Sequence, residues 1–186
     1  GLFDEALTDF ENVRTAASTS EFTQHAWLMS GLCHYLLGQE EDALRVSNRF
    51  LELHPRSAWA PDVIFWLGEY HYNQGDYEAA ETRFGHLAET FPRSELAPEA
   101  LFWAARSAMQ RREYRRALEY LGRFAREYPG SSKMPDVRFA QGDALSELGE
   151  FTAAILAYDE IPRKYPDSYL VDRARGRKGD CHFTLA

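Results

Sequence analysis

Apolar residues recur along this chain at helical spacing, and the pattern restarts every 37 residues. Residues 57 to 92 show one full period. Val63, Ile64, Leu67 and His71 mark a first helix, and Tyr77, Ala80, Phe84 and Leu87 mark a second. Ser57 is placed to cap the first helix, and Pro61 falls in its first turn, where a missing N–H costs little. Gly75 suits the left-handed residue that closes the first helix, and Asp76 or its neighbour opens the second. Pro92 disfavours helical geometry in the residue before it and so ends the second helix.

The same punctuation repeats in register. Pro55, Pro92, Pro129 and Pro166 share the 37-residue step, as do Ser57, Ser94, Ser131 and Ser168. Ala6, Ala43, Ala80, Ala117 and Ala154 form a small-residue column, and Gly31, Gly68, Ala105, Gly142 and Gly179 form another. These two columns are expected to face each other, because small residues at a helix crossing let the backbones approach. Gly1, Gly38, Gly75 and Gly149 make a turn column in which Arg112 stands alone. A hairpin of this size cannot bury its own apolar face and must stack on a neighbour.

The predicted fold is all-α, a tandem array of antiparallel helix pairs. A lone second helix spans residues 1–17, full units span about 20–55, 57–92, 94–129 and 131–166, and an unpaired first helix spans 168–186. Both terminal helices lack a partner, and the face of Phe3 and Phe10 is not polar as a cap would be. The chain therefore reads as part of a longer protein with further repeats, or as one that self-associates through its terminal helices. Three departures stand out. Arg112 in the left-handed position would cost about 1–2 kcal/mol, so that turn is expected to differ or to close less tightly. Pro162 is expected to kink or end its helix. Arg138 and Gln141 replace apolar residues, so their unit is expected to pack loosely.

The columns resemble the tetratricopeptide repeat. Its motif corresponds here to Ile64, Leu67, Gly68, Gly75, Tyr77, Ala80, Phe84 and Pro92, with Trp27, Gly31, Gly38 and Ala43 in the preceding unit. The resemblance covers essentially the whole chain and implies a right-handed superhelical solenoid. Linkers such as Phe91–Pro98 and Tyr128–Pro135, with Phe65–Glu69 in the helix, look like bacterial cell-envelope members of the family. Those include the periplasmic tol-pal system repeat protein and lipoproteins of outer-membrane β-barrel assembly. That likeness implies a scaffold or adaptor in the periplasm or cell envelope, a cytoplasmic array being the alternative.

The resemblance also implies a binding surface, since first helices line the concave face in this family. Its ligand-facing positions fall on His25, Leu28, Met29, Leu32 and Tyr35, then on Asp62, Phe65, Trp66, Glu69 and Tyr72. They continue on Glu99, Phe102, Trp103, Arg106 and Met109, on Asp136, Phe139, Ala140 and Asp143, and on Arg173, Arg177 and Asp180. Phe65, Phe102 and Phe139 read as core, with groove-lining the alternative. Trp66 and Trp103 read as groove-lining, with core the alternative. Aromatics interleaved with carboxylates favour a peptide that carries apolar and some basic side chains.

Composition narrows the function. A net charge of −8 argues against general binding to nucleic acid or anionic membrane. No apolar run is long enough to insert in a membrane. Arg106, Arg111, Arg112, Arg115, Arg116, Arg123 and Arg126 are offset by Glu113, Glu119 and Glu127, the pattern of a solvated face with i,i+4 pairs or a contact for an acidic partner. His34 and His71 share one repeat position and read as packed rings. Cys33 and Cys181 read as separate buried thiols, and no metal-ligand spacing or cofactor motif is present. No P-loop, nucleophile elbow, HExxH or Rossmann glycine motif appears, so the expected role is non-catalytic: binding a protein or peptide, the alternatives being a structural self-assembling array or an accessory domain of a larger envelope or secretion complex.

Overall fold

The structure is a computed structural model and describes residues 1–15 and 20–186. The described residues form ten α-helices and no strand. They divide into two units, residues 1–70 and 71–186. The expected end of the first helix near residue 17 lies outside the described residues.

The first unit holds α1 (Leu2–Thr15), α2 (Glu21–Leu36), α3 (Glu40–Leu53) and most of α4 (Ala60–Asn73). Ser20 caps α2, its hydroxyl accepting the Thr23 N–H at 3.3 Å. Phe50 on α3 and Val63 and Leu67 on α4 form the buried centre, flanked by Trp27, Leu28, Leu44 and Trp59. Gly31 lies against α3, where an added Cβ would meet the Ser47 hydroxyl at 3.0 Å, next to the backbone of Ala43. In this pair the small columns meet, with Ser47 covering the glycine, whereas the equivalent Gly142 faces the Tyr158 ring.

The second unit holds the end of α4 and then α5 (Tyr77–Thr90), α6 (Ala97–Gln110), α7 (Tyr114–Glu127), α8 (Met134–Glu147), α9 (Phe151–Lys164) and α10 (Val171–Leu185). Phe84, Leu87, Leu101, Leu121 and Phe124 are fully buried. Around α8 to α10 the core is Phe139, Tyr158, Ile161, Leu170 and Cys181. Asp76 caps α5 as expected, accepting the Ala79 N–H at 3.1 Å. The second helices end at Leu53, Thr90, Glu127 and Lys164, two residues short of each proline in the column.

Four expectations are corrected. Ser57, Ser94, Ser131 and Ser168 do not cap the first helices, which begin three residues later at Ala60, Ala97, Met134 and Val171. Each hydroxyl instead accepts the N–H two residues on, at 3.1–3.2 Å, and so shapes the turn that enters the helix. Arg112 keeps the turn of its glycine counterparts, with φ of 61° against 73°, 78° and 75° at Gly38, Gly75 and Gly149. Glu113 N–H bonds to Ala108 C=O at 2.8 Å, as Asp76 does to His71 at 2.9 Å, so the hydrogen bonds of the turn impose the geometry despite the side chain.

Pro162 does not end α9, which runs to Lys164, the same repeat position where α5 and α7 stop. The proline sits in the last turn, so only its bond to the Tyr158 carbonyl is missing. Arg138 and Gln141 do not leave a loose unit. Arg138 pairs with Glu160 on α9 at 2.9 Å and donates to Gln141 at 2.8 Å.

The basic stretch ties helices together more than it pairs within one. Glu81 is 1% exposed, and the guanidiniums of Arg111, at 2.7 Å, and Arg116 enclose it. Arg115 reaches Glu150 at 3.2 Å, and Arg123 bonds to the Ala88 carbonyl at 3.0 Å besides its own-helix partner Glu127. A repeating hairpin brings residues about one period apart side by side, a neighbour relation that outranks i,i+4 spacing here.

His34 is buried and hydrogen bonds to Gln39 at 2.7 Å, a packed ring as expected. His71 titrates below the ordinary histidine value, mainly because burial disfavours its charge. Cys33 and Cys181 are free and buried, and burial pushes the Cys33 thiol up.

Candidate functional site

The first helices of each unit present a cleft. In the first unit Leu28, Met29 and Leu32 of α2 and Val63 and Trp66 of α4 surround an apolar hollow of about 200 Å³ above Gly31 and Ser47. The glycine makes room by withholding a side chain at the bottom. Trp66 is half-buried, and its ring meets Tyr35 edge-on at 5.6 Å and Tyr70 at 5.9 Å. Tyr70 donates a 2.8 Å hydrogen bond to Glu40. Asp62 and Glu69 are exposed, Phe65 is half-buried, and His25 packs against Trp59 at 5.4 Å.

In the second unit α6, α8 and α10 surround a cleft of about 310 Å³. Phe102, Met109, Phe139 and Leu170 form its apolar surface, while Arg106, Asp136, Asp143 and Arg173 bring charge. Phe102 and Phe139 are 9% and 7% exposed, so each serves as core and as cleft floor at once. The core reading of these two rings holds, and the same rings border the cleft.

Trp103 corrects the expected division of labour. It does not line this cleft. Its indole N–H donates to Glu99 at 2.9 Å, and its ring stacks on Phe84 at 6.1 Å and meets Tyr72 edge-on at 4.9 Å. The Phe–Trp pair thus offers Trp66 to a cleft in one unit and Phe102 in the other. Glu99 is also the partner of Lys133, whose ammonium lies over Phe102 at 5.0 Å.

The charges of this cleft are unequal in their engagement. Asp136 accepts the Tyr169 hydroxyl. Asp143 accepts the Tyr158 hydroxyl at 2.7 Å and lies 3.3 Å from the Arg177 guanidinium. Both phenols are held above the ordinary tyrosine value, Tyr158 chiefly by burial and then by Asp143, and Tyr169 chiefly by Asp136. Arg106 and Arg173 instead rest on aromatic faces, Trp103 at 5.5 Å and Phe139 at 4.8 Å. Among the described residues neither has a carboxylate at ion-pair distance.

Sequence reasoning missed Tyr169, Leu170 and Gln110 in the cleft lining. Tyr169 and Leu170 were expected inside the last helix but stand in the linker before α10, which turns them to the cleft. Among the described residues no group of three or more His, Cys, Asp or Glu side chains is placed to hold a metal ion. Nor is any described helix long and apolar enough to cross a membrane.

Comparison with known proteins agrees with this architecture. One tetratricopeptide repeat profile matches residues 65–132 and 104–169, and a second matches residues 25–57. No curated protein matches the chain. Among solved structures, a tetratricopeptide repeat protein from Parabacteroides merdae is similar over 98% of this chain and 67% of its own, at 13% identity and a TM-score of 0.68. YrrB, a TPR protein with an unusual peptide-binding site, is similar over 94% of this chain and 84% of its own, at 16% identity and a TM-score of 0.68. MamA protein is similar over 89% of this chain and 87% of its own, at 19% identity and a TM-score of 0.60. At these identities the likeness carries the fold alone. Since the two matches of the first profile together span more than half of the sequence, the chain belongs to the tetratricopeptide repeat family.

Proposed function

We propose that the chain is a non-catalytic interaction module that binds a peptide or partner domain on the first-helix faces of its units. Tetratricopeptide repeat proteins generally mediate protein–protein interaction. The observation that carries the reading is the lining of the two clefts. It comes mostly from α2 and α4 in one unit, where it is apolar around Trp66, and from α6, α8 and α10 in the other, where it mixes rings with charge. Half-buried aromatics beside polar groups are the surface that binding hot spots use. The peptide-binding site of YrrB, a protein of similar fold, supports the same use here. Tyr35, Asp62, Phe65, Trp66 and Glu69 are the contacts proposed in the first unit. In the second they are Phe102, Arg106, Asp136, Phe139 and Asp143, with the Trp103 ring supporting Arg106.

The test is capture of partners from extracts of the source organism by the wild type and by Trp66→Ala/Trp103→Ala, with helicity checked by circular dichroism. A protein retained by the wild type and lost from the folded variant supports the reading. Equal capture by both moves the site away from these faces.

The cell envelope is the compartment we propose, on the linker likeness to periplasmic family members. Fractionation of source cells with an antibody to this chain tests it, and recovery in the cytoplasmic fraction would overturn it. A second reading, self-association through α1, is favoured by Leu2 at 84% and Phe3 at 49% exposure. Sedimentation that shifts with concentration in the wild type and not in Phe3→Ser would support that reading.

A further inference from the structure

We propose that the cleft bounded by α6, α8 and α10 receives an acidic side chain of a bound peptide, held by Arg106 and Arg173. The inference rests on the peptide-binding reading and adds the sign of charge it selects. Counting residues along this surface suggests an acidic site, yet the cleft's aspartates are already engaged and its arginines are not paired with them. Asp136 and Asp143 are engaged by the Tyr169 and Tyr158 hydroxyls, and Asp143 has Arg177 beside it as well. A basic ligand would have to compete with those partners.

The cleft's two arginines are differently placed. Each guanidinium lies over a ring, 5.5 Å from the Trp103 centroid and 4.8 Å from that of Phe139. Stacking uses the face of the guanidinium and leaves its edge donors, which match a carboxylate in the plane. The rings also limit the rotamer freedom these long side chains lose on binding. Phe102, Met109 and Leu170 form the walls between, so apolar residues are expected to flank the acidic one. Since the whole chain carries −8 and the two arginines of the lining are matched by its two aspartates, the cleft selects by contact more than by long-range attraction.

The probe is a library of acetylated, amidated decapeptides with Glu, Gln or Lys at one position among apolar neighbours, read by fluorescence anisotropy. Glu peptides are expected to bind the wild type about tenfold tighter than their Gln counterparts, as a charge-assisted bond implies. That preference should vanish in Arg106→Gln/Arg173→Gln, survive in part in Arg106→Lys/Arg173→Lys, and weaken with salt. Both arginines are exposed, so the variants are expected to stay folded. Equal binding of Glu and Gln peptides, preference for Lys, or a Glu preference that survives the double Gln variant would overturn the proposal. Gln peptides with a free C-terminus that match amidated Glu peptides would also overturn it, assigning the cleft to a chain end. If Glu and Gln peptides bind alike and Trp66→Ala/Trp103→Ala loses both, this inference falls while peptide binding stands. Failure of every peptide to bind removes both.

Discussion

Arg112 occupies a backbone conformation that L-residues with side chains avoid, and it does so in a turn whose counterparts are glycine. The left-handed geometry costs a residue with a Cβ about 1–2 kcal/mol, partly offset because glycine gives the unfolded chain more freedom. Arg112→Gly is therefore expected to raise unfolding stability by about 1 kcal/mol. Urea unfolding followed by circular dichroism measures it, and a loss of stability would mean that the arginine side chain contributes more than the strain removes. A second contrast lies in one small-residue column. A methyl on Gly142 would overlap the Tyr158 ring, whereas one on Gly179, a single period later, would meet nothing within 4 Å. Gly142→Ala is expected to cost about 1–2 kcal/mol from overpacking, and Gly179→Ala to gain up to about 1 kcal/mol from helix propensity. Equal effects at both positions would break the claim that packing, and not backbone preference, sets the first value.

At the scale of the element, helix number, order and C-terminal ends were legible, because five columns at one spacing repeat each signal several times, whereas four first helices begin three residues after the serines expected to cap them. What misled was local chemistry shared by two motifs. A serine before a helix suits an N-cap or a turn, and only the observed bond from the Trp59 N–H to the Ser57 hydroxyl separates them. Pro162 misled because its effect depends on distance from the helix end, and α9 stops two residues later. The site was legible as a set of repeat positions on the first helices. Its division of roles was not, since Trp103 is drawn aside by Glu99, Phe84 and Tyr72. Nor was the engagement of its carboxylates, because the hydroxyls that bond to Asp136 and Asp143 come from a linker and from α9. Pro162→Ala tests the element directly. Restoring the bond to the Tyr158 carbonyl is expected to stabilise α9 by up to about 1 kcal/mol, part of the gain being offset by the greater freedom alanine gives the unfolded chain. An unchanged urea midpoint would show that the last turn already absorbs the proline.

At the scale of the molecule, the second unit gathers tyrosines whose phenols resist ionisation. Tyr114, Tyr120, Tyr128, Tyr158 and Tyr169 are all held above the ordinary value, mostly by burial, and Tyr169 first by its bond to Asp136. The sign of the pH effect follows. A phenol held protonated in the folded chain contributes fully below the unfolded value of 10.0, where both states carry the proton. Above it the unfolded chain loses protons that the folded chain retains, so stability falls as pH rises. Tyr158 should dominate, since it is 1% exposed, lies against Gly142 and donates to the Asp143 carboxylate. One such group imposes a slope of about 1.4 kcal/mol per pH unit once its unfolded form has ionised. Urea midpoints of the wild type are therefore expected to drop steeply above pH 10, and those of Tyr158→Phe less so, by about that slope. Phenylalanine keeps the ring over Gly142 and removes only the ionisable hydroxyl. If the two proteins lose stability in parallel at high pH, the alkaline limit lies with the other tyrosines or with the loss of positive charge from lysines such as Lys133 and Lys178. In that case Tyr158 is a packing residue whose hydroxyl serves Asp143 alone.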